Sequence, residues 1–351
     1  MQPLAPGAPA PAVFAPVLDR LRTETPALFG DDARLVPVAY EARPFSHILR
    51  LGLHRGALDH PSSYCFLKIF KPKPVPDGEV LMRQRVVHDF ETTRRIHQAL
   101  SAVPGCGAVR PIVCYPDLLA SMTEEASGQT LLAVLESEAA WFPGVERLAA
   151  MRETMARTGR WLRAFQTIDP GDDHATVGEL RDYIDIRLTR LVEAGSRIVT
   201  GQRRHALLRR IEELGARLPP SALRRVPIHA DLAPGNVLVD GDRIVVLDFA
   251  MASRGTTMHD LARLYVQTDL LRAKPQFRRT IVEALLQALL EGFAPGLTNA
   301  DPLFRLLSLQ HRINHLGTLT LQQARFPTNL YNRRLRGFHA RWLERELQIG
   351  A

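Results

Sequence analysis

The chain contains 351 residues, of which 46% are hydrophobic and 23% are charged, and its formal net charge is +8. These values are typical of a soluble globular protein with one large or two moderate domains. The basic residues are scattered, with no run of five or six, so we expect no nucleic-acid partner. No apolar run approaches the roughly 18 to 20 residues of a membrane helix, so we expect no membrane span.

The N-terminal residues and the cysteines also bear on the class of protein. Residues 1–16 are rich in Ala and Pro, and they have neither the basic start nor the long apolar core of a signal peptide. We predict a disordered lead-in there. Cys65, Cys106 and Cys114 show no metal or redox spacing, and their odd number argues against a disulfide framework. We therefore expect a cytoplasmic protein.

The first elements are predicted to form a small sheet. A short helix is predicted over residues 17–29, and strands over residues 34–40, 47–53 and 63–70. These strands are short, apolar and separated by polar turns, which is typical of an antiparallel meander. Lys68 lies in the third strand between apolar neighbours and puts a positive charge on one face of the sheet. The alternative is a lysine that protects a sheet edge.

A helix is predicted over residues 81–100, because its apolar residues have approximate helical spacing. Glu91 lies in the middle of this helix, where it either holds the strand lysine or is a solvated surface residue. Asp89 competes with it for the first role. Two further strands are predicted over residues 109–113 and 118–122.

The rest of the chain is predicted to be largely helical. Residues 123–128, which include Glu124 and Ala126, are predicted to be a hinge that leads into this part. Helices are predicted over residues 129–136, 148–165, 182–198, 204–218, 274–293, 302–323 and 331–347. The helix over residues 148–165 is amphipathic, with apolar residues at steps of three, four and seven, and it is expected to be buried beneath the Asp231 loop.

The most informative stretch, residues 229–249, reads as loop, strand, tight turn and strand. Asp231 and Asn236 are five residues apart on the loop, and Asp248 ends the second strand. The pair at residues 240–241, Asp-Gly, provides the positive backbone angles that a two-residue hairpin turn requires. The hairpin is expected to bring Asn236 and Asp248 together.

This spacing is that of the catalytic loop in protein-kinase-like phosphotransferases. Phosphoryl transfer needs an oriented acceptor hydroxyl, a triphosphate held in line, and charge neutralised by magnesium. Asp231 is suited to accept the hydroxyl proton, and Asn236 and Asp248 offer the oxygen ligands that magnesium prefers. A hairpin with an Asp at each end is common. However, Asp231, Asn236 and Asp248 occur together at this spacing, and His229 lies two residues before Asp231, which argues against a chance match.

With these residues in this order, the chain resembles the aminoglycoside phosphotransferase and choline kinase-like family over about residues 30 to 300. The motif His-x-Asp-Leu-x-Pro-Gly-Asn-Val-Leu at residues 229–238 carries the resemblance, since protein kinases usually have Arg between the His and the Asp. The resemblance implies an α+β, two-lobed protein-kinase-like fold, with a small antiparallel-sheet lobe and a larger helical lobe. We predict a nucleotide-binding lobe over residues 17–123 and a catalytic and substrate-binding lobe over residues 124–351.

The resemblance also implies ATP and Mg²⁺ as cofactors and assigns roles to particular residues. Asp231 is the catalytic base, and Asn236 and Asp248 are metal ligands. Lys68, held by Glu91, positions the nucleotide.

Supporting positions complete this set. Backbone groups of the hinge, at Glu124 and Ala126, are expected to contact adenine. His229 and Asp260 are expected to support the catalytic loop. Asp260 either caps the N-terminus of an apolar helix or anchors the backbone of the loop.

Two positions depart from the family pattern. The first hairpin, residues 40–47, lacks the glycine that lets backbone amides approach a phosphate closely. Ser46 and one or two amides are expected to serve instead. Ala250 stands where Gly is common, but Asp248 carries the metal binding, which we expect to survive.

The charge of the C-terminal segment bears on the acceptor. Residues 299–351 contain three acidic residues against eight arginines. Polycationic aminoglycosides call for acidic side chains around the acceptor, so this balance favours a neutral or anionic acceptor, such as a sugar, a glycan intermediate or a phosphorylated metabolite. The alternative is that these arginines are solvated and face away from the pocket.

We therefore expect an ATP- and Mg²⁺-dependent kinase that transfers the γ-phosphate to a hydroxyl of a neutral or anionic small molecule. The alternatives are an aminoglycoside or amino-alcohol kinase, and a catalytically weak kinase-like protein that binds nucleotide. The absence of a glycine-rich loop is the feature that favours the last of these.

Overall fold

The computed structural model describes residues 1–5, 7–56, 60–72, 74–321 and 328–348. The chain divides into two compact units. The first unit consists of Met1–Gly128 and Val245–Met251, and the second consists of Gln129–Ile244 and Ala252–Ala351. The chain thus leaves the second unit after Ile244 and returns to it at Ala252.

The predicted lobes, residues 17–123 and 124–351, differ from these units because Val245–Met251 belongs to the first one. The carbonyl of Val246 accepts a hydrogen bond from the Val109 N–H at 3.2 Å. Ala250 packs against an apolar cluster that includes Met82. Such contacts join residues far apart in sequence, so a linear division of the chain does not find them.

The first unit contains seven strands and two helices in its described part. They are β1 (Gln2–Pro3), α1 (Ala15–Phe29), β2 (Ala33–Ala42), β3 (Ser46–Arg55), β4 (Ser63–Phe70), α2 (Gly78–Leu100), β5 (Cys106–Ala108), β6 (Pro111–Tyr115) and β7 (Ala120–Glu124). Six of these strands form an antiparallel sheet in the order β1-β2-β3-β4-β7-β6. The three predicted strands and the long helix are therefore present.

The core of the first unit lies between α1 and one face of this sheet. Leu49, Leu51 and Leu53 alternate along β3 and are buried on this face, as the two-residue period of a strand requires. The segment predicted to be a disordered lead-in, residues 1–16, contributes to the same unit. Its residues Gln2–Pro3 pair with β2, and Phe14 is fully buried, because only the folded unit provides apolar partners for that ring.

The second unit contains five strands and eight helices in its described part, β11 being shared with the first. They are β8 (Gln129–Thr130), α3 (Leu131–Glu138), α4 (Val145–Gln166), α5 (Val177–Glu193), α6 (Gly201–Gly215), β9 (Arg225–Ile228), β10 (Val237–Asp240), β11 (Arg243–Val246), β12 (Ser253–Thr256), α7 (His259–Asp269), α8 (Arg279–Phe293), α9 (Pro302–Leu321) and α10 (Thr328–Gln348). Strand β8 pairs with β10, and β9 pairs with β12. In the described ranges, no helix is long and apolar enough to cross a bilayer.

The turn between β10 and β11 lies one residue later than predicted. Strand β10 ends at Asp240, so the turn consists of Gly241 and Asp242, with Gly241 at φ 55°. The Arg157 guanidinium of α4 donates to the Gly241 carbonyl at 3.0 Å and to the Asp242 carboxylate at 2.5 Å. A glycine suits this position, because only glycine adopts positive φ without steric cost.

Helix α5 begins five residues before its predicted start, because a capping box precedes its apolar residues. The Thr176 hydroxyl accepts the Glu179 N–H at 3.1 Å, and the Glu179 carboxylate accepts the Thr176 N–H at 2.9 Å. Such a cap stabilises a helix by about 1 kcal/mol. Thr200 similarly caps α6. Both caps are visible in the sequence as a Thr before the helix.

Helices α4 and α8 approach each other closely through two glycines. A Cβ on Gly159 would lie 2.4 Å from the Leu289 carbonyl oxygen, and one on Gly292 would lie 2.1 Å from the Ala156 carbonyl oxygen. Both obstructing atoms belong to the backbone, so a side chain at either position forces the helices apart.

A half-buried histidine of α9, His315, and a buried histidine of α10, His339, join these two helices. The His315 Nδ1 and the His339 Nε2 are 2.9 Å apart. Burial, with the Arg312 and His315 charges, lowers the pKa of His339 to about 2. Burial, with the charges of Arg263 and Arg312, lowers the pKa of His315 to about 4. Both imidazoles are therefore neutral in the folded protein at neutral pH.

We predict that Gly292→Ala destabilises the protein by about 1–3 kcal/mol, because the added methyl overpacks the α4–α8 contact. The measurement is urea unfolding. Gly317→Ala is the matched control, since nothing lies within 4 Å of a Cβ at that helical position. It should stabilise by roughly 0.5–1 kcal/mol, as alanine favours a helix over glycine. Equal stability of the two variants would contradict the predicted overpacking.

We predict that the unfolding free energy falls as the pH is lowered below the pKa of about 6.5 that histidine has in an unfolded chain. His339 takes up a proton on unfolding but not in the folded state, so it contributes about 1.4 kcal/mol per pH unit to this loss. His339→Gln should reduce the slope between about pH 5.5 and 4 by that amount. Parallel slopes for the variant and the wild type would refute the assignment.

Candidate active site

The loop after β9 is held by a buried carboxylate of α7. Asp260 is fully buried, and it accepts hydrogen bonds from the His229 N–H at 2.6 Å and the Ala230 N–H at 3.0 Å. Ala230 has φ 62°, a left-handed conformation that a non-glycine residue adopts only when its surroundings hold it there. Asp260 thus anchors the loop. It is not the N-cap of α7, which is Met258.

Asp260 is ionised despite its burial. Burial by itself raises its pKa, but the hydrogen bond with His259, the charges of His259 and His229, and the His229 N–H together lower the pKa below the ordinary value of aspartate. A carboxylate that accepts several N–H groups is stabilised in its charged form. The loop is therefore fastened by charge-assisted hydrogen bonds.

His229 fastens the loop from its other side. Its ring is fully buried, and its Nδ1 lies 3.3 Å from the Asp231 N–H, which donates to it. His229 and Asp260 together restrain the backbone at three successive residues. The side chain of Asp231 is consequently presented from a fixed backbone while remaining 53% exposed.

Asp231 has a partner that the sequence analysis did not find. The Arg263 guanidinium of α7 forms an ion pair with its carboxylate. Arg263 follows Asp260 by three residues on the same helix, so one face of α7 approaches both the backbone and the side chain of the loop. In the sequence, the spacing Asp-x-x-Arg of Asp260 and Arg263 was the pattern that could have indicated this partner.

Asn236 ends the short 3₁₀ turn Pro234–Asn236 and is tied to the same loop. Its Nδ2 donates to the Asp231 carbonyl at 3.1 Å. With the amide nitrogen used in this way, the amide oxygen is the atom suited to a cation. The structure thus brings Asp231, Asn236, His229 and Asp260 together within the second unit.

The first unit brings Lys68 and Asp248 together. The Lys68 Nζ, on β4, donates to the Asp248 Oδ1 at 3.1 Å and lies 4.5 Å from the centre of the Phe70 ring. Asp248 follows β11 in a left-handed conformation, with φ 63°. Both side chains are partly exposed, so a bound ligand has access to them.

Helix α2 directs Asp89, and not Glu91, toward this pair. Burial raises the pKa of Asp89 to about 6, the Lys68 charge opposes this rise, and the Asp248 charge adds to it. Glu91 is 48% exposed and pairs with Arg94. Positions two apart on a helix point about 200° apart, so only one of these carboxylates can face Lys68.

The structure thus favours Asp89 over Glu91, the predicted residue, as the carboxylate of α2 that acts on Lys68. The buried residues of α2 include Met82, Val86, Asp89, Thr93 and Ile96, at alternating steps of four and three. Asp89 belongs to this buried stripe, and its position there was the feature of the sequence that favoured Asp89 as the carboxylate near Lys68.

The remaining predicted contacts lie at the edges of the first unit. Ser46 begins β3 and is buried, and its carbonyl accepts the Arg43 N–H at 2.8 Å. The Glu124 carboxylate accepts from the Arg110 Nε at 2.8 Å. Ala126 is half-buried just after β7. The buried position of Ser46 does not favour a role for its hydroxyl in phosphate binding.

The donor groups present suit magnesium better than a transition metal. Asp248 in the first unit offers a carboxylate, and Asn236 in the second unit offers an amide oxygen; each is a hard oxygen donor of the kind that Mg²⁺ prefers. No group of three His, Cys, Asp or Glu side chains suited to a metal occurs among the described residues.

Residues 77–303 match the model of the phosphotransferase enzyme family. No curated protein matches the chain. Among solved structures, a choline/ethanolamine kinase family protein from Mesorhizobium loti is similar, with a TM-score of 0.53, 16% identity and 94% of each chain covered. Aminoglycoside phosphotransferase APH(4)-Ia has a TM-score of 0.54 and 16% identity, with 96% of this chain and 99% of that chain covered.

Amicoumacin kinase hAmiN, in complex with AMP-PNP, Ca²⁺ and Ami, is also similar. Its TM-score is 0.51 and its identity 14%, with 92% of this chain and 93% of that chain covered. These likenesses confirm the predicted α+β, protein-kinase-like fold. The family match spans more than half of the chain and includes the Asp231 loop and Asp248. It confirms the predicted phosphotransferase class. The chain therefore belongs to the phosphotransferase enzyme family.

Proposed function

We propose that this protein is an ATP- and Mg²⁺-dependent kinase that transfers the γ-phosphate to a hydroxyl of a neutral or anionic small molecule. The observation that carries the proposal is the fastening of the Asp231 loop by Asp260 and His229. Such restraint serves a side chain that must orient a reacting hydroxyl, since misplacement of reacting groups by about 1 Å costs about 10²-fold in rate.

On the donor side, Lys68 is the proposed ligand of the nucleotide phosphates. Its ammonium is held by Asp248 at 3.1 Å and by the charge of the buried Asp89, which keep it on one face of the sheet. Asn236 and Asp248 are the proposed ligands of Mg²⁺, which neutralises phosphate charge when bound. The complex of the similar amicoumacin kinase with AMP-PNP and Ca²⁺ supports a nucleotide and a divalent cation here.

On the acceptor side, Asp231 is the proposed base. Its carboxylate takes the hydroxyl proton as the oxygen attacks the γ-phosphate. Arg263 holds the carboxylate by an ion pair and places a positive charge beside the acceptor. That charge opposes a polycationic acceptor and accommodates a neutral or anionic one.

A catalytically weak, nucleotide-binding protein is the second candidate. The first hairpin lacks glycine, and Ser46, its proposed substitute, is buried. In addition, the carboxylate of Asp231, the proposed base, is already engaged in an ion pair with Arg263. Turnover separates the two candidates, whereas binding of ATP alone is expected of both.

We predict Mg²⁺-dependent ADP formation with at least one compound in a screen of sugars, sugar phosphates, amino alcohols and aminoglycosides. Asp231→Asn should lower the rate by about 10²- to 10⁴-fold, because the proposed base is lost. Asp242→Asn, an equivalent change at an exposed turn, should leave the rate unchanged. If the wild type forms ADP with none of these compounds and ATP with Mg²⁺ produces no thermal shift, the kinase proposal fails. Turnover only with aminoglycosides would overturn the acceptor class.

We predict that Asp89→Asn raises the KM for ATP by about tenfold, because loss of the buried carboxylate releases Lys68. Glu91→Gln removes a carboxylate from the same helix and should leave the KM within about twofold, since Glu91 pairs only with a surface arginine. Steady-state kinetics at saturating acceptor provide both values. A rise in KM for Glu91→Gln alone would restore the original assignment.

A further inference from the structure

A cavity of about 560 Å³ lies among α7, α8, α9 and α10 of the second unit, within the range of sites for small molecules. Its walls include the rings of Tyr265, Phe304, Phe338 and Trp342. Its charged residues are mainly arginines, namely Arg272, Arg279, Arg305, Arg312, Arg341 and Arg345. The acidic side chains of the wall are Asp269, Glu283 and Glu346.

Two of these carboxylates are already paired with more than one arginine. Asp269 pairs with Arg312 and, at 2.9 Å, with Arg272. Glu346 accepts from Arg305 at 2.7 Å and from Arg210, which does not line the cavity, at 3.0 Å. Six arginines against three acidic residues leave the wall positively charged, which suits an anionic ligand.

Two buried donors of α9 point to where that ligand binds. Arg312 is 1% exposed, and its Nε and Nη1 have no hydrogen-bond partner among the described residues. Ser308, one turn earlier on the same face of α9, is 3% exposed, and its Oγ likewise has no partner in the described part of the chain. Buried polar groups without partners are rare and costly, so they indicate an absent acceptor.

The guanidinium of Arg312 is held ready for such an acceptor. Its Nη2 is tied to Asp269, and its Cζ lies over the Trp342 ring, 4.5 Å from the ring centre. Stacking on an aromatic ring orients a guanidinium without using its remaining N–H groups. The Nε and Nη1 thus remain available for a carboxylate or phosphate oxygen.

This cavity is separate from the Asp231 loop. Helix α7 carries Arg263 toward Asp231, and it carries Tyr265 and Asp269 to the cavity wall. At about 100° per residue, Tyr265 and Asp269 lie about 200° and 240° around the helix axis from Arg263. The two features therefore occupy different sides of α7.

We propose that this cavity is a second binding site, for a small molecule that carries a carboxylate or phosphate group, with Arg312 and Ser308 as the donors to that group. Arg345, at the end of α10, adds charge at the wall of the site. The proposal goes beyond the kinase function and does not depend on it.

The test measures thermal shifts of the full-length protein, without ATP or Mg²⁺, in inorganic phosphate, in citrate and in chloride at equal ionic strength. Phosphate or citrate at about 20 mM should raise the Tm by about 2 °C or more over chloride. The two anions distinguish a phosphate site from a carboxylate site. If neither raises the Tm above the chloride value, the proposal is overturned.

Variants of cavity residues test whether the anion that raises the Tm binds in this cavity. Arg312→Gln should abolish it, and Ser308→Ala and Arg345→Gln, which leave the buried Arg312–Asp269 pair intact, should at least halve it. Arg333→Gln removes an exposed arginine of α10 outside the cavity and should leave the shift unchanged. A shift that survives in Ser308→Ala and Arg345→Gln but is lost in Lys68→Met would place the anion at the nucleotide site and refute the proposal.

A crystal structure in the same phosphate or citrate buffer provides the direct reading. The expected result is the anion within hydrogen-bond distance of the Arg312 Nε and Nη1 and the Ser308 Oγ. Ordered water alone on these three atoms would overturn the proposal. Because these measurements need no turnover, failure of the kinase function and failure of this site are distinguishable.

Discussion

The loop that carries Asp231 depends on one buried carboxylate, Asp260. Asp260 accepts the N–H groups of His229 and Ala230, and these bonds hold Ala230 in a left-handed conformation that costs roughly 1–2 kcal/mol for a residue with a side chain. The carboxylate remains charged inside the protein because hydrogen bonds and the charges of nearby histidines outweigh burial, so its pKa is lowered. The position of Asp231 follows from this arrangement.

Three charged side chains of helix α7 contact three different groups. Asp260 reaches the loop backbone, Arg263 reaches the Asp231 side chain, and Asp269 pairs with Arg312. Because helical residues turn by about 100° each, Asp260 and Arg263, three residues apart, share one face of the helix, whereas Asp269, six residues after Arg263, lies about 240° around the axis. A single short helix therefore supports both the transfer loop and the wall of the arginine-rich cavity.

The first unit illustrates where reasoning from sequence succeeded and where it failed. Lys68 was singled out as a positive charge on one face of a strand, and Asp248 as a metal ligand by its position after the hairpin, but their ion pair was not predicted. The helix carboxylate was assigned to Glu91, although Asp89 continues the buried stripe of α2. The turn at Gly241 and the start of α5 were missed by one and five residues, since local capping and turn chemistry set those boundaries.

The sequence by itself determined the family, the α+β class and most elements, because motif spacing and periodicity are local properties of the chain. It also singled out Asp231, Asn236, Asp248 and Lys68, whose roles are part of the proposed function. Only the tertiary structure decided that Phe14 is buried, that Val245–Met251 joins the first unit, that Arg263 pairs with Asp231, and that Arg312 lines a cavity. These features join residues distant in sequence. Their partners are chosen by packing and by the cost of burying unpaired charge, neither of which a linear pattern records.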